Sequence, residues 1–293
     1  MKRIILFLLT NIAVIFLLTV VAHLVCAFFG VDLRAFLAAN QTSLLPCFLF
    51  ALLFGFAGSI ISLLLSKSAA KRSVGAVTVT GHENPQTAWL VQTVARLAAA
   101  ANIKTPEVAV YKGSANAFAT GAFRDKALVA VSTDIMEQMT KEELTAVLGH
   151  EISHVANGDM VTMGLLQGIL NTFVIFLARI VASFVGGGGN NRRSGLSLLV
   201  YYLLQTALGF LASAIAMAFS RHREYAADAG SARLLGTPTS MIAALDRLGH
   251  LRPGVLPGSL KAFGIAGPLS SLFASHPPLE KRIAALRTLQ NRL

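Results

Sequence analysis

His150-Glu151-Ile152-Ser153-His154 is the stretch on which the reading of this chain turns. Two histidines four residues apart on a helix lie about one turn apart on the same face, so both imidazoles reach a single ion. Glu151 is rotated off that direction, which sets its carboxylate beside the metal's open position, where it takes a proton from bound water. The motif needs a helix, and the sequence predicts one. Thr140 with Glu143 three residues on has the form of a capping box, and Leu144, Val147, Leu148, Ile152 and Val155 follow at helical spacing. Ile152 and Ser153 put no competing charge inside the motif. Catalytic zinc keeps three protein ligands and one open position, so the expected cofactor is one Zn²⁺ per chain and a third ligand must come from elsewhere. Glu224, in Ser220-Arg-His-Arg-Glu224-Tyr-Ala-Ala-Asp228, is the best candidate. Asp228 falls on the same helical face, suited to hold a histidine N–H from outside the ligand set.

Outward from these motifs the chain alternates in character. Of its 293 residues, 54% are hydrophobic and only 13% charged, against about 25% charged in soluble domains. Residues 1–66 hold four charges and 160–219 three, whereas 67–159 hold eighteen and 220–293 fourteen. The expected organisation is a two-helix membrane anchor (1–66), the first part of a protease domain (67–159), a second membrane hairpin (160–219) and the rest of that domain (220–293). The apolar runs Ile4–Phe29 and Leu44–Leu65 are long enough to span the ~30 Å hydrocarbon core. Met160–Val185 and Leu196–Phe219 also permit spanning, although Arg179 must then snorkel and Arg192 and Arg193 oppose the usual charge bias. Lys2 and Arg3 before the first run and Lys67, Lys71 and Arg72 after the second place both flanks, and the body of the chain, in the cytoplasm. The same Lys67, Lys71 and Arg72 cluster is expected to bind anionic lipid. Only about six residues separate His154 from the third run and five separate the fourth from Glu224, so a membrane hairpin brings the two metal-binding segments to a similar height. No basic run with interleaved aromatics occurs, so the net charge of +11 points to membrane topology and anionic lipid, with no nucleic-acid partner.

The polar segments predict an α+β body. Asn84-Pro85 starts a helix of about four turns. Glu107–Tyr111 and Ala127–Val131 are short β-rich runs that imply a small sheet, and between them Asn116-Ala117-Phe118-Ala119-Thr120-Gly121 is either an extended edge or a turn. His276-Pro-Pro starts a last amphipathic helix; His276 is either structural or a donor to a tetrahedral oxyanion. Asn157 and Asp159 read as caps at the end of the motif helix. The only cysteines, Cys26 and Cys47, lie near matching ends of the first two runs and read as packing residues rather than zinc ligands, with a disulfide between them left open. His23 reads as a packing or interface residue.

With these segments in place, the chain resembles the HtpX-type membrane zinc endopeptidases, relatives of the CAAX prenyl proteases. The likeness runs from the basic N-terminus and two anchors through Asn116–Gly121, the His150–His154 motif with its continuation to Asp159, the Glu224–Asp228 helix and His276-Pro277. It implies a mainly α membrane protein carrying a cytosolic α+β, zincin-like (gluzincin) protease domain with a small sheet. It also implies zinc ligation by His150, His154 and Glu224, Glu151 as catalytic base, and Asn116, Ala117, Phe118 and Ala119 as a substrate-binding edge. The implied setting is the bacterial inner membrane, with the N-terminus and protease domain in the cytoplasm, where damaged membrane proteins, and the chain itself by self-cleavage, are cut in envelope quality control and stress response. Two rival functions remain, a catalytically silent zinc-binding scaffold and a small transporter. A scaffold has no use for Glu151 beside an open coordination position, and a transporter calls for more ionisable groups in its spans than Arg179 and His23.

Overall fold

The structure is a computed structural model that describes residues 44–186, 191–251 and 276–290. The first apolar run, with His23 and Cys26, and the tip of the Gly-rich loop, with Asn190, lie outside the described residues. Helices α1 (Leu44–Val74), α5 (Asp159–Gly186) and α6 (Asn191–Leu235) are the long ones. The remaining elements in chain order are β1 (Val77–Thr78), α2 (Pro85–Ala100), β2 (Glu107–Tyr111), β3 (Ala117–Thr120), β4 (Leu128–Ser132), α3 (Thr133–Gln138), α4 (Lys141–Asn157), α7 (Thr239–His250) and α8 (Leu279–Gln290). They group into two compact units. One takes in the described residues of Met1–Ile61 and Gly164–Ile215, the other those of Ser62–Met163 and Ala216–Leu293.

Among the described residues three helices are long and apolar enough to cross a membrane: Pro46–Val74, Asp159–Phe184 and Gly195–Leu235. Within the first unit, α1 and α5 approach through small residues, as helices in lipid do when no hydrophobic force draws them together. A Cβ added at Gly55 would stand 2.4 Å from Thr172 Oγ1, and one added at Gly168 would stand 2.7 Å from the Phe56 ring. The Thr172 hydroxyl donates to the Gly168 carbonyl at 2.8 Å, so this polar side chain is satisfied inside its own helix. Arg179 lays its guanidinium 4.0 Å from the Phe50 ring centroid, a cation–π contact. Cys47 lies on α1 and has no disulfide partner among the described residues, Cys26 lying outside them.

The second unit holds a four-stranded mixed sheet in the order β1-β2-β4-β3. β2 and β4 run parallel, while β3 returns antiparallel along the outside of β4 with Phe118 opposite Ala130. The segment that the sequence left between edge and turn is therefore a strand, made of small and aromatic residues on a fully buried ladder. Both predicted caps form. Asn84 accepts from the Thr87 N–H and Thr87 answers to the Asn84 N–H; Thr140 and Glu143 do the same for α4. Leu90, Val94 and Leu97 of α2, Val129 and Val131 of β4, and Leu144, Val147, Leu148 and Ile152 of α4 form one core with Met241 and Leu245 of α7.

Lys67 and Lys71 pair with Glu107 at 2.7 and 2.6 Å, with the Thr78 hydroxyl donating to the same carboxylate at 2.6 Å. Hydrogen bonds from Lys67, Lys71 and Thr78 lower the Glu107 carboxyl to about 2. The pairing ties the C-terminal end of α1 to β2, a use of basic residues that charge bias alone does not reveal.

The decisive packing event for the site is the crossing of α4 over α6. Gly149 faces Ser231 and Gly230 faces Ser153, so each helix offers a missing side chain where the other has a small one. The Ser231 hydroxyl donates to the Ala146 carbonyl and Ser153 to the Gly149 carbonyl, both at 2.7 Å. Backbones this close place residue 224, nearly two turns before Gly230, against the face carrying His150 and His154. A Cβ at Gly230 would meet Ser153 Oγ at 2.5 Å and its Cβ at 2.7 Å. Gly230→Ala is thus expected to destabilise the folded protein by roughly 1–3 kcal/mol, as overpacking does, and to weaken metal binding as the helices part. Thermal unfolding in detergent checks this, and an unchanged melting temperature would contradict the close crossing.

Candidate metal centre

His150 and His154 come from α4 and Glu224 from α6, and their ligating atoms converge. The two Nε2 atoms are 3.0 Å apart, His150 Nε2 lies 3.5 Å from Glu224 Oε2, and His154 Nε2 lies 3.2 Å from Glu224 Oε1. These separations are those expected of donors sharing one ion: ligands about 2.0–2.1 Å from a tetrahedral zinc stand roughly 3.3 Å from one another. The three residues form a group that could hold a metal ion, with His150 and Glu224 buried and His154 partly so. Glu224 Oε2 is buried and makes no well-formed hydrogen bond, although His276 Nδ1 and Arg282 Nη1 stand 2.8 and 3.2 Å away, so it keeps a lone pair for an ion.

The electrostatics favour a cation at this point. Burial would lower the His150 pKa, yet hydrogen bonds to Asp228 and Glu224 raise it. Burial would likewise raise Glu224, but the charges of His276 and Arg282 and the two histidines hold it well below the usual carboxylate range. Glu224 therefore meets the two histidines as a charged carboxylate.

Each histidine is backed by a carboxylate on its other nitrogen. His150 Nδ1 lies 2.9 Å from Asp228 Oδ1, and His154 Nδ1 lies 2.5 Å from Asp159 Oδ2. A carboxylate at Nδ1 fixes the tautomer with hydrogen on that atom and leaves the Nε2 lone pair facing the centre. Asp228 stands where the sequence placed it. Asp159 does more than cap: the C-cap of α4 is Gly158, in the left-handed region at φ 71°, and this turn points the Asp159 side chain back at His154. Behind the aspartates stand two arginines that sequence reasoning missed. Arg282 on α8 grips Asp228 with Nε at 2.8 Å and Nη2 at 2.6 Å. Arg223 on α6 donates from Nη1 to the Asp159 carbonyl at 2.6 Å and sets Nη2 against Asp159 Oδ1. A signal for Arg282 was present. It shares the spacing of Leu279, Ile283 and Leu286, so a charged residue sits on the apolar face of an amphipathic helix.

Glu151 is 2% exposed. Burial raises its carboxyl pKa, against the pull of His150, His154 and a hydrogen bond from the Ala119 backbone. That last contact links the base to β3, the edge strand of the sheet. Of Asn116, Ala117, Phe118 and Ala119, it is Ala119 that meets Glu151, and all four are buried, not presented on an open edge. A cavity of about 90 Å³ is lined by His150, Glu151, His154, Asp159, Met160, Met163, Ser220, Arg223, Glu224 and His276. His276 stands on its wall with Nδ1 2.8 Å from Glu224 Oε2, so the histidine before Pro277-Pro278 belongs to the site. A carboxylate base next to a three-donor metal cage, on the wall of a partly open cavity, is equipped to activate water for attack on a carbonyl.

Comparison with known proteins agrees with this geometry. Residues 84–290 match the profile of peptidase family M48. The chain is 51% identical over 296 residues to a "Protease HtpX homolog" of Polaromonas naphthalenivorans (strain CJ2), covering 99% of this chain and 100% of the relative. It is 52% identical to a protein of the same description in Janthinobacterium sp. (strain Marseille), with the same coverage. Among solved structures, that of S. mikatae Ste24p superposes with a TM-score of 0.61 at 21% identity, covering 96% of this chain and 67% of that one, a likeness of fold.

Proposed function

The chain belongs to peptidase family M48, and from that membership we propose that it is a zinc-dependent endopeptidase acting on membrane proteins at the cytosolic face of the bacterial inner membrane. That it is a membrane metalloendopeptidase with a zincin-like domain follows from the family, the relatives and three membrane-length helices. The finer reading rests above all on the cage of His150, His154 and Glu224 with Glu151 beside it.

In this reading His150, His154 and Glu224 hold the ion, which when bound acidifies water and polarises the scissile carbonyl. Glu151 takes the proton from the attacking water and returns it to the departing amine. Asp228 and Asp159 keep the histidines in the ligating tautomer. An extended substrate adds along β3, whose position at the end of the sheet beside Glu151 supports the placement, once that buried edge is uncovered. The preference for membrane-embedded substrates follows from tethering: a chain already in the bilayer gains effective concentration over a soluble one. Damaged or misfolded membrane proteins, and self-cleavage, are the quality-control reading of the same activity.

The location is tested by a cysteine at Lys112 in a background free of Cys26 and Cys47, and by two substrates, one membrane-anchored and one carrying the same cleavable segment without its anchor. The expected result is labelling only after the inner face is opened and faster cleavage of the anchored substrate. Labelling from outside intact cells would contradict the orientation, and equal cleavage of both substrates would contradict the membrane preference.

A further inference from the structure

The two histidines that face the metal position are supported in the same manner, by a chain of three residues running from arginine to aspartate to histidine. One chain is Arg282, Asp228 and His150; the other is Arg223, Asp159 and His154. The arginines come from different elements, α8 and α6, so the repetition is not a by-product of one helix surface. Arg282 is completely buried and Arg223 is 8% exposed. A guanidinium in such a place is expensive unless it is paired with opposite charge, and the pairings here are specific, even though Arg282 Nη1 and Arg223 Nη2 meet their carboxylates without a well-formed hydrogen bond. Arg282 meets Asp228 through two parallel N–H groups, the bidentate match that fixes the plane of a carboxylate as well as its position. With that plane fixed, Asp228 Oδ1 stands 2.9 Å from His150 Nδ1, nearer than Arg282 Nη2 at 3.4 Å. The difference decides the tautomer. If the guanidinium were the nearer group, it would donate to Nδ1, the ring proton would move to Nε2, and His150 would present hydrogen instead of a lone pair to the centre. Arg282 Nη1 also lies 3.2 Å from Glu224 Oε2, so one guanidinium spans the metal-facing carboxylate and the carboxylate behind the histidine. A lysine in its place would supply the charge without the planar fork.

We propose that Arg282 and Arg223 are positioning residues for the metal centre, each locking the aspartate that holds one histidine in the zinc-ligating tautomer. This rests on the metalloprotease reading of the site, and it goes further by assigning part of the affinity for metal to two residues outside the ligand set.

The test uses the full chain in detergent, stripped by chelator and titrated with Zn²⁺ in competition with a chromophoric chelator. Arg282→Gln is expected to weaken Zn²⁺ binding by about 10–100-fold, the range for loss of groups that orient a ligand. Arg282→Lys is expected to restore the melting temperature of the metal-free protein while leaving the affinity lowered, because charge returns and the fork does not. The double variant Arg282→Gln with Asp228→Asn is expected to lose less affinity than the two single losses combined, since the arginine works mainly through that aspartate. Arg223→Gln, at the less buried arginine, gives the parallel result through Asp159 and serves if the Arg282 variants fail to fold. Full recovery of affinity by Arg282→Lys, additive losses in the double variant, or an unchanged affinity in Arg282→Gln and Arg223→Gln would each overturn the proposal. If the unaltered protein takes up no Zn²⁺ at all, the metalloprotease reading fails first, and the two failures are told apart.

Discussion

Glu151→Gln is expected to abolish peptide cleavage while the protein still binds one zinc ion per chain. The carboxamide keeps the size and much of the shape of the side chain but cannot accept a proton, and loss of a positioned general base typically costs about 10²–10⁴ in rate. Nothing in the cage depends on it: the three converging ligand atoms belong to His150, His154 and Glu224. Its buried position raises its pKa, which suits a group that must both take and return a proton during one turnover. Metal content by elemental analysis, measured on the same samples as cleavage, separates base from ligand. A Glu151→Gln protein that cleaves at nearly the original rate would remove Glu151 from the chemistry, and one that loses zinc would make it part of the cage.

The second large effect concerns the two carboxylates on one face of α6. Glu224→Gln is expected to lose zinc and activity together, because the neutral amide no longer balances the ion's charge and its N–H₂ group competes for the position facing the histidines. Asp228→Asn, which leaves the three ligand atoms intact, is expected to weaken binding by about 10–100-fold and to retain activity at saturating zinc. The ranking is not trivial, since both are buried and both carry depressed pKa values, Asp228 at about 2 because the charge and hydrogen bonds of Arg282 outweigh its burial. What distinguishes them is direction: Glu224 faces the Nε2 atoms of both histidines, while Asp228 faces only the Nδ1 of one. Chelator competition on both variants checks the order, and a reversed ranking would transfer the ligand role to Asp228.

The cage was legible in the sequence because helical periodicity carries its own geometry. His150 and His154 at i and i+4, and Glu224 and Asp228 at i and i+4, define two faces without any tertiary knowledge, and the capping boxes at Thr140 and Asn84 set where their helices start. The strand Ala117–Thr120 was ambiguous because four small or aromatic residues next to a glycine satisfy a turn as well as a ladder, and only the pairing to β4 decides. The arginines were hidden for a different reason. Arg223 lies in a basic run, Arg221-His222-Arg223, that reads as solvated surface, while Arg282 shows only its place on the apolar face of its helix. The partners of both come from the convergence of α4, α6 and α8, which no local pattern encodes. Lys67 and Lys71 have a further partner that charge bias does not reveal: Glu107, almost forty residues on, pairs with both. The apolar run and the segment bearing Glu224 and Asp228 lie on one helix, α6 from Asn191 to Leu235, a continuity that the charge pattern does not reveal.

The central claim is that this chain is a zinc-dependent peptidase acting in a membrane, and removal and return of the metal tests it most directly. The full-length protein, purified under chelation and reconstituted in lipid vesicles with a membrane-protein substrate, is expected to be inactive, to take up one zinc ion per chain on addition of Zn²⁺, and then to cut the substrate, with His150→Ala inert throughout. Uptake of zinc with no cleavage in the unaltered protein would contradict the account and leave a zinc-binding scaffold, and cleavage that persists without zinc would place the chemistry outside this cage.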